Sequence, residues 1–193
     1  MKRTSQPRPA FTLIELLVVI SIIAVLMGLA FPVFQGVQNT AKKTQAKNDL
    51  VQIVTAVNAF YTEYGRYPIT TDNEGPYGLS GNPSKPLLDE LRGLPATINT
   101  RGIVFFSPPD ARDQTTPRGG IGNDGQFYDP WNKPYVISID ADYNNEVTNP
   151  FSATSGWAPK VRAGVIAWSF GKDRDTGNDK NASPGKDDVI SWQ

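Results

Sequence analysis

From Phe11 to Ala30 the chain is apolar apart from Thr12, Glu15, Ser21 and Gly28. That stretch matches the roughly 20 residues an α-helix uses to cross a bilayer. Lys2, Arg3 and Arg8 precede it. Three readings fit this pattern. It is a secretory signal cut at the small residues Gly28-Leu29-Ala30, a permanent membrane anchor, or a helix whose charged leader is removed before Phe11.

Glu15 separates them. A carboxylate inside a membrane helix costs on the order of 2.5–3.5 kcal/mol at mid-bilayer, less near the interface. A signal or a plain anchor has no use for it. Cutting before Phe11 creates an α-amine, ordinarily with a pKa of about 7.7–8.0 and so largely cationic. Buried among apolar helices, that ammonium needs a partner, and Glu15 of a neighbouring copy supplies one. Glu15 therefore favours the third reading over the other two.

Pro32 follows the apolar run and is expected to kink or interrupt a helix, since it lacks an N–H. Helical spacing then resumes with Leu50, Ile53, Val54, Val57, Phe60/Tyr61 and Tyr64 on one face, and Lys42, Lys43, Lys47 and Asp49 off it. Gly65 and Pro68 end that helix. Between Thr70 and Asp129 turn formers dominate, with a helical turn expected at Leu87–Leu91 and a strand at Ile103–Phe106. Better strands are Tyr135–Ile139 and Val165–Ser169, and a last apolar piece is Val189–Trp192. The expected class is α+β: one long helix, membrane-like then amphipathic, packed on a small antiparallel sheet with long loops. Residues 1–10 form the leader, 11–34 the hydrophobic helix and 35–193 the amphipathic helix with its globular domain.

Composition narrows the chemistry. The 193 residues suffice for one membrane element and one domain with a core. Lys+Arg and Asp+Glu are both 19, so no global positive field draws in nucleic acid. With neither Cys nor His, cysteine or Ser-His catalysis and His/Cys zinc sites are excluded. No spaced carboxylate pair and no Gly-rich phosphate loop appears, so an enzyme is not expected. Asp173 to Asp188 is a loop of Gly, Asp, Asn and Lys that fails the EF-hand template, since Gly177 and Pro184 stand where acidic or amide ligands are required.

Ala10-Phe11-Thr12-Leu13-Ile14-Glu15-Leu16-Leu17-Val18-Val19-Ile20 resembles the leader junction of type IV pilins and type II secretion pseudopilins. The resemblance implies cleavage between Ala10 and Phe11 by a membrane aspartyl peptidase, N-methylation of Phe11, and filament assembly through Glu15. Pro32 matches that family's helix-interrupting proline. The family's residue before the cut is usually Gly, where this chain has Ala10.

Three further segments resemble the major pseudopilin of type II secretion. They are Tyr61-Thr62-Glu63-Tyr64-Gly65-Arg66-Tyr67-Pro68, Asp129-Pro130-Trp131-Asn132-Lys133-Pro134-Tyr135, and the pair Ser169-Phe170-Gly171-Lys172-Asp173 with Asp188-Val189-Ile190-Ser191-Trp192. The intervals 70–128 and 141–162 are longer than that family's norm. Trp131, Tyr135, Trp168 and Trp192 are expected in the core. The resemblance implies a calcium ion held by Asp173, Asp188 and the Phe170 carbonyl, with Asp175, Asp179 and Asp187 as further candidates; calcium takes six to eight oxygens. It also implies the fold and its setting: a pilin fold, an inner-membrane precursor with a periplasmic globular domain, and a homopolymeric filament. The implied partners are the prepilin peptidase, an inner-membrane assembly platform and minor pseudopilins. The leading expectation is a structural subunit of a secretion pseudopilus that drives export across the outer membrane. The alternatives are a type IV pilus subunit for adhesion, twitching or DNA uptake, and, in another class, a secreted or anchored enzyme.

Overall fold

The computed structural model describes residues 11–95, 97–151, 158–174 and 187–192, with the backbone alone at 29–33. Helix α1 spans Leu13–Tyr64, 52 residues, and continues through Pro32 rather than ending there. A single proline removes one ladder donor, which flanking turns of this length tolerate. The chain divides into two compact units, Met1–Ala41 and Lys42–Gln193.

In the first unit every large apolar side chain from Phe11 to Met27 is exposed, Leu13 at 86% and Ile20 at 56% among them. Among the described residues no helix is long and apolar enough to cross a membrane.

The second unit is built on the remainder of α1. Ala46, Leu50, Ile53, Val57 and Phe60 recur every three or four residues and are buried, with Val54 and Tyr64 packed at the edge. This is the expected face, extended one turn by Ala46. Gly65 ends the helix at φ +68, its N–H donating to the Tyr61 carbonyl at 2.8 Å. Helix α2, Lys85–Arg92, is longer than the turn expected there and buries Leu87, Leu88 and Leu91. Pro86 opens it and left-handed Gly93 closes it.

Ile103–Phe106 is not a strand. The N–H groups of Phe105 and Phe106 both donate to the last-turn carbonyl of Leu91, at 2.8 and 3.0 Å. Phe105 and Phe106 thus cap α2 and pack on the core instead of joining a ladder, while Val104 is exposed.

The main sheet comprises β3 (Val136–Ile139), β6 (Val165–Ser169) and β7 (Val189–Ile190), antiparallel in the order β3-β6-β7. Register pairs Val136 with Trp168, Ile139 with Val165, and Trp168 with Ile190. Alternation sends Ile137, Ile139, Val165 and Ala167 to the core formed by α1. Val136, Ile166, Trp168 and Ile190 face a second cluster with Val147, Phe151 and Phe170. Both faces are therefore buried, and the long interval after β3 supplies part of the second cover. Each large apolar side chain so buried stabilises by about 1.5–3 kcal/mol. Two short antiparallel pairs complete the unit: β1 (Gly120–Ile121) with β2 (Phe127–Tyr128), and β4 (Val147–Thr148) with β5 (Lys160–Val161). The architecture is the expected α+β one.

Candidate functional site

At the N-terminus the first turn of α1 closes on itself. Glu15 Oε2 accepts from the Thr12 N–H at 2.8 Å and from the Thr12 hydroxyl at 2.7 Å, and the Glu15 N–H donates to Thr12 Oγ1 at 3.3 Å. This is a capping box, Thr-x-x-Glu, in which two otherwise orphan backbone donors are satisfied reciprocally. Its spacing is plain in the sequence but is overshadowed there by the membrane-like run. The carboxylate reaches back to the residue adjoining Phe11, whose side chain is exposed. Ala10 lies outside the described residues. Of Pro32 only the backbone is described.

The second region gathers around Asp129. Its Oδ1 accepts from the N–H groups of Trp131 and Lys133, both at 2.9 Å, and its Oδ2 accepts from the Ser169 hydroxyl at 2.6 Å. Burial pushes the Asp129 carboxyl above the usual range, opposed first by the Ser169 bond and then by the two backbone donors. Ser169 in turn accepts the Gly171 N–H at 3.1 Å. Trp131, Tyr135 and Trp168 are buried and Trp192 is packed against the second cluster, as expected for core aromatics.

The C-terminal loop begins and ends beside this knot. Gly171 has φ +66, and a Cβ there would stand 2.3 Å from the Asp187 carbonyl oxygen. The Asp173 N–H donates to Asp187 Oδ2 at 2.8 Å, so the two ends of the loop are held together. Phe170 is buried, and one Asp188 carboxylate oxygen is buried as well. The donors on hand are hard oxygens, suited to calcium rather than to softer metals. Asp173, Asp187 and Asp188 do not form a three-carboxylate cluster within 4.8 Å. Asp175 and Asp179 lie outside the described residues. A three-carboxylate cluster does form elsewhere, from half-buried Glu74, buried Asp140 and exposed Asp142.

The family described as the prokaryotic N-terminal methylation motif matches residues 8–31. The chain is 34% identical over 137 residues to the type II secretion system core protein G of Escherichia coli, covering 71% of this chain and 75% of that one. It belongs to the type II secretion system core protein G family. The core protein G of Klebsiella michiganensis is also 34% identical, over 67% of this chain and 78% of its own. The type IV major pilin PilA of Myxococcus xanthus is 42% identical, but over only 30% of this chain and 26% of the pilin. No solved structure shows significant similarity to the chain. As a core protein G homologue the chain matches the two secretion subunits over two thirds or more of its length and the Myxococcus pilin over less than a third, in line with the preference for a secretion subunit over a pilus subunit.

Proposed function

We propose that the chain is a structural subunit of a type II secretion pseudopilus, made as a prepilin, cut before Phe11, and polymerised through its N-terminal helix to drive proteins across the outer membrane. The observation that carries this is the exposed apolar surface from Phe11 to Met27, headed by a carboxylate beside the cleavage point. Such a surface has to be covered by lipid before assembly and by neighbouring helices after it. In the membrane the precursor is a single-pass protein with its globular unit in the periplasm. It meets the prepilin peptidase, an inner-membrane platform and minor pseudopilins, and has no catalytic role.

Glu15 has two employments under this reading. In an isolated subunit it caps its own helix; in the filament it neutralises the Phe11 ammonium of a neighbour. Calcium, held by Asp173, Asp188 and the Phe170 carbonyl with Asp187 alongside, would fasten the C-terminal loop of a domain that has no cysteine. Asp175 and Asp179 remain candidate donors for the same ion.

Replacing Ala10 with a bulky residue tests the processing step. Full-length precursor should accumulate in the membrane fraction, with no product beginning at Phe11. Mature protein of normal size from that variant removes the prepilin reading.

A further inference from the structure

Beyond the helix-mediated contact, the second unit carries two charged patches at different points along α1. At its beginning a cavity of about 710 Å³ opens beside Lys42, walled by Arg112 and Arg118. Hydrogen bonds close the loop that bears the two arginines: Ala111 N–H donates to the Ile121 carbonyl at 2.9 Å, Ile121 N–H to Pro109 at 2.9 Å, and Gly119 N–H to Asp129 at 3.0 Å. Gly119 is held so close to α1 that a Cβ there would meet Gln45 Nε2 at 2.7 Å. The guanidinium groups are thus presented by a constrained loop. Among the described residues Lys42, Arg112 and Arg118 enter no ion pair.

Two acids share the wall. Asp113 is turned onto its own loop, accepting from the N–H groups of Thr115 and Thr116 and from the Thr116 hydroxyl. Asp110 is the other. The lining remains positive by one charge.

At the far end of the same helix lies the opposite sign. Glu74, Asp140 and Asp142 bring carboxylate oxygens within 4.8 Å of one another, and none of the three is in an ion pair among the described residues. Asp140 is anchored by the N–H groups of Asn144 and Asn145. Tyr143, next to Asp142, stacks on Tyr67 at 5.5 Å and lies 6.3 Å from Tyr61 at the end of α1. Glu146 adds a carboxylate, and Lys160, 3.4 Å from it, also acts on Asp142, which accepts from the Asn144 N–H and side-chain amide. From Lys42 to Tyr61 the helix rises roughly 30 Å, at 1.5 Å per residue.

We propose that the Lys42–Arg112–Arg118 cavity receives the Glu74–Asp140–Asp142 end of a second copy of this chain. The argument is charge complementarity. The lining of one end is net positive and the cluster at the other is net negative, and arginine favours paired binding of carboxylates. The two surfaces differ, so the contact is head-to-tail, and a head-to-tail contact that does not close makes an open helical polymer. This rests on the filament reading and adds the contact that sets axial register between globular units.

The chain has no cysteine, which permits a clean test in the full-length protein. Arg118→Cys and Asp142→Cys in one chain should give a disulfide ladder of multimers on oxidation, and either change alone should give none. Arg118→Glu and Asp142→Arg should each lower the yield of sedimentable filament at least tenfold, and together restore most of it. Both positions are exposed, so melting of the variants should match wild type and exclude misfolding. Wild-type filament yield from both reversals, or loss without rescue in the double variant, overturns the contact; the second outcome would give the cavity a different anionic partner. Absence of filament from the wild-type chain overturns the assembly reading and this contact with it.

Discussion

The phenol of Tyr135 donates a 2.7 Å hydrogen bond to the carboxylate of Asp49, joining the entry of the main sheet to the middle of α1. Tyr135 is almost wholly buried. Burial, and then the Asp49 charge, push its phenol far above the ordinary range, so it remains a donor at any working pH.

The pH dependence of this bond has a definite sign. Burial raises the Asp49 carboxyl above its usual value, the Tyr135 bond opposes that, and the charge on Asp129 adds to it. Between the ordinary value and the raised one the folded chain binds more protons than the unfolded chain. Stability contributed by Asp49 therefore grows as pH falls through that window and is lost as pH rises through it. Asp49→Asn keeps an acceptor for Tyr135 without the charge, and should unfold with a flatter pH dependence, matching wild type at low pH and exceeding it near neutrality. Denaturant titrations at several pH values check this. An equal loss of stability at every pH would show that the carboxylate, not its charge, matters.

The long helix and the main sheet were legible because each follows one period. Ala46 through Phe60 repeats every three or four residues, and Val165–Ser169 is a short β-branched and aromatic run. Of the two-residue strands, Val189–Ile190 was foreshadowed by the apolar piece Val189–Trp192, but Gly120–Ile121 carries no period at all; the Asp124-Gly125 turn between β1 and β2 was the available sign there. Phe105 and Phe106 look like strand residues, yet tertiary packing under α2 claimed them. At the N-terminus Glu15 announced itself by its cost in an apolar helix. The bond from Ser169 to Asp129 joins residues 40 positions apart, and no local pattern encodes such a partner. The Glu74–Asp140–Asp142 cluster is half visible in the Asp-x-Asp-x-Asn spacing of 140–144, while Glu74 comes from a distant loop.

That Ser169–Asp129 bond makes a second expectation. Ser169→Ala leaves a buried carboxylate oxygen without its hydroxyl donor, which costs about 1.5–3 kcal/mol for a bond to a charged group. Asp129→Ala also releases the Trp131 and Lys133 N–H groups and should cost more. Both variants should melt below wild type, the aspartate change by the wider margin. If Ser169→Ala melts like wild type, the hydroxyl has no role in joining the Asp129 turn to β6.

Calcium binding gives a third. A ligand that binds only the folded chain stabilises it by about 2.7 kcal/mol at one hundred times its Kd. The chain should melt higher in calcium than in chelator, and Asp173→Ala or Asp188→Ala should remove the difference. Magnesium should substitute poorly, because it prefers tight octahedral geometry and keeps its waters. Identical melting in calcium and chelator would mean that the loop binds no stabilising ion.

The last expectation separates the two employments of Glu15. Its Oε2 caps the helix through Thr12, and a cap of this kind is worth about 1 kcal/mol to the helix end. In the filament its charge would face a neighbour's Phe11 ammonium, and removing one member of a buried pair costs about 3–5 kcal/mol at each subunit. Glutamine serves in capping boxes as well as glutamate, so Glu15→Gln keeps the cap and loses the charge. Thr12→Ala does the reverse, deleting the hydroxyl half of the box and leaving the carboxylate. Neither touches the Ala10–Phe11 junction, and both precursors should be cut normally. Sedimentable filament should fall steeply for Glu15→Gln and only modestly for Thr12→Ala. The opposite order would make the capping box, rather than the charge, the reason this helix begins with a glutamate inside an apolar run.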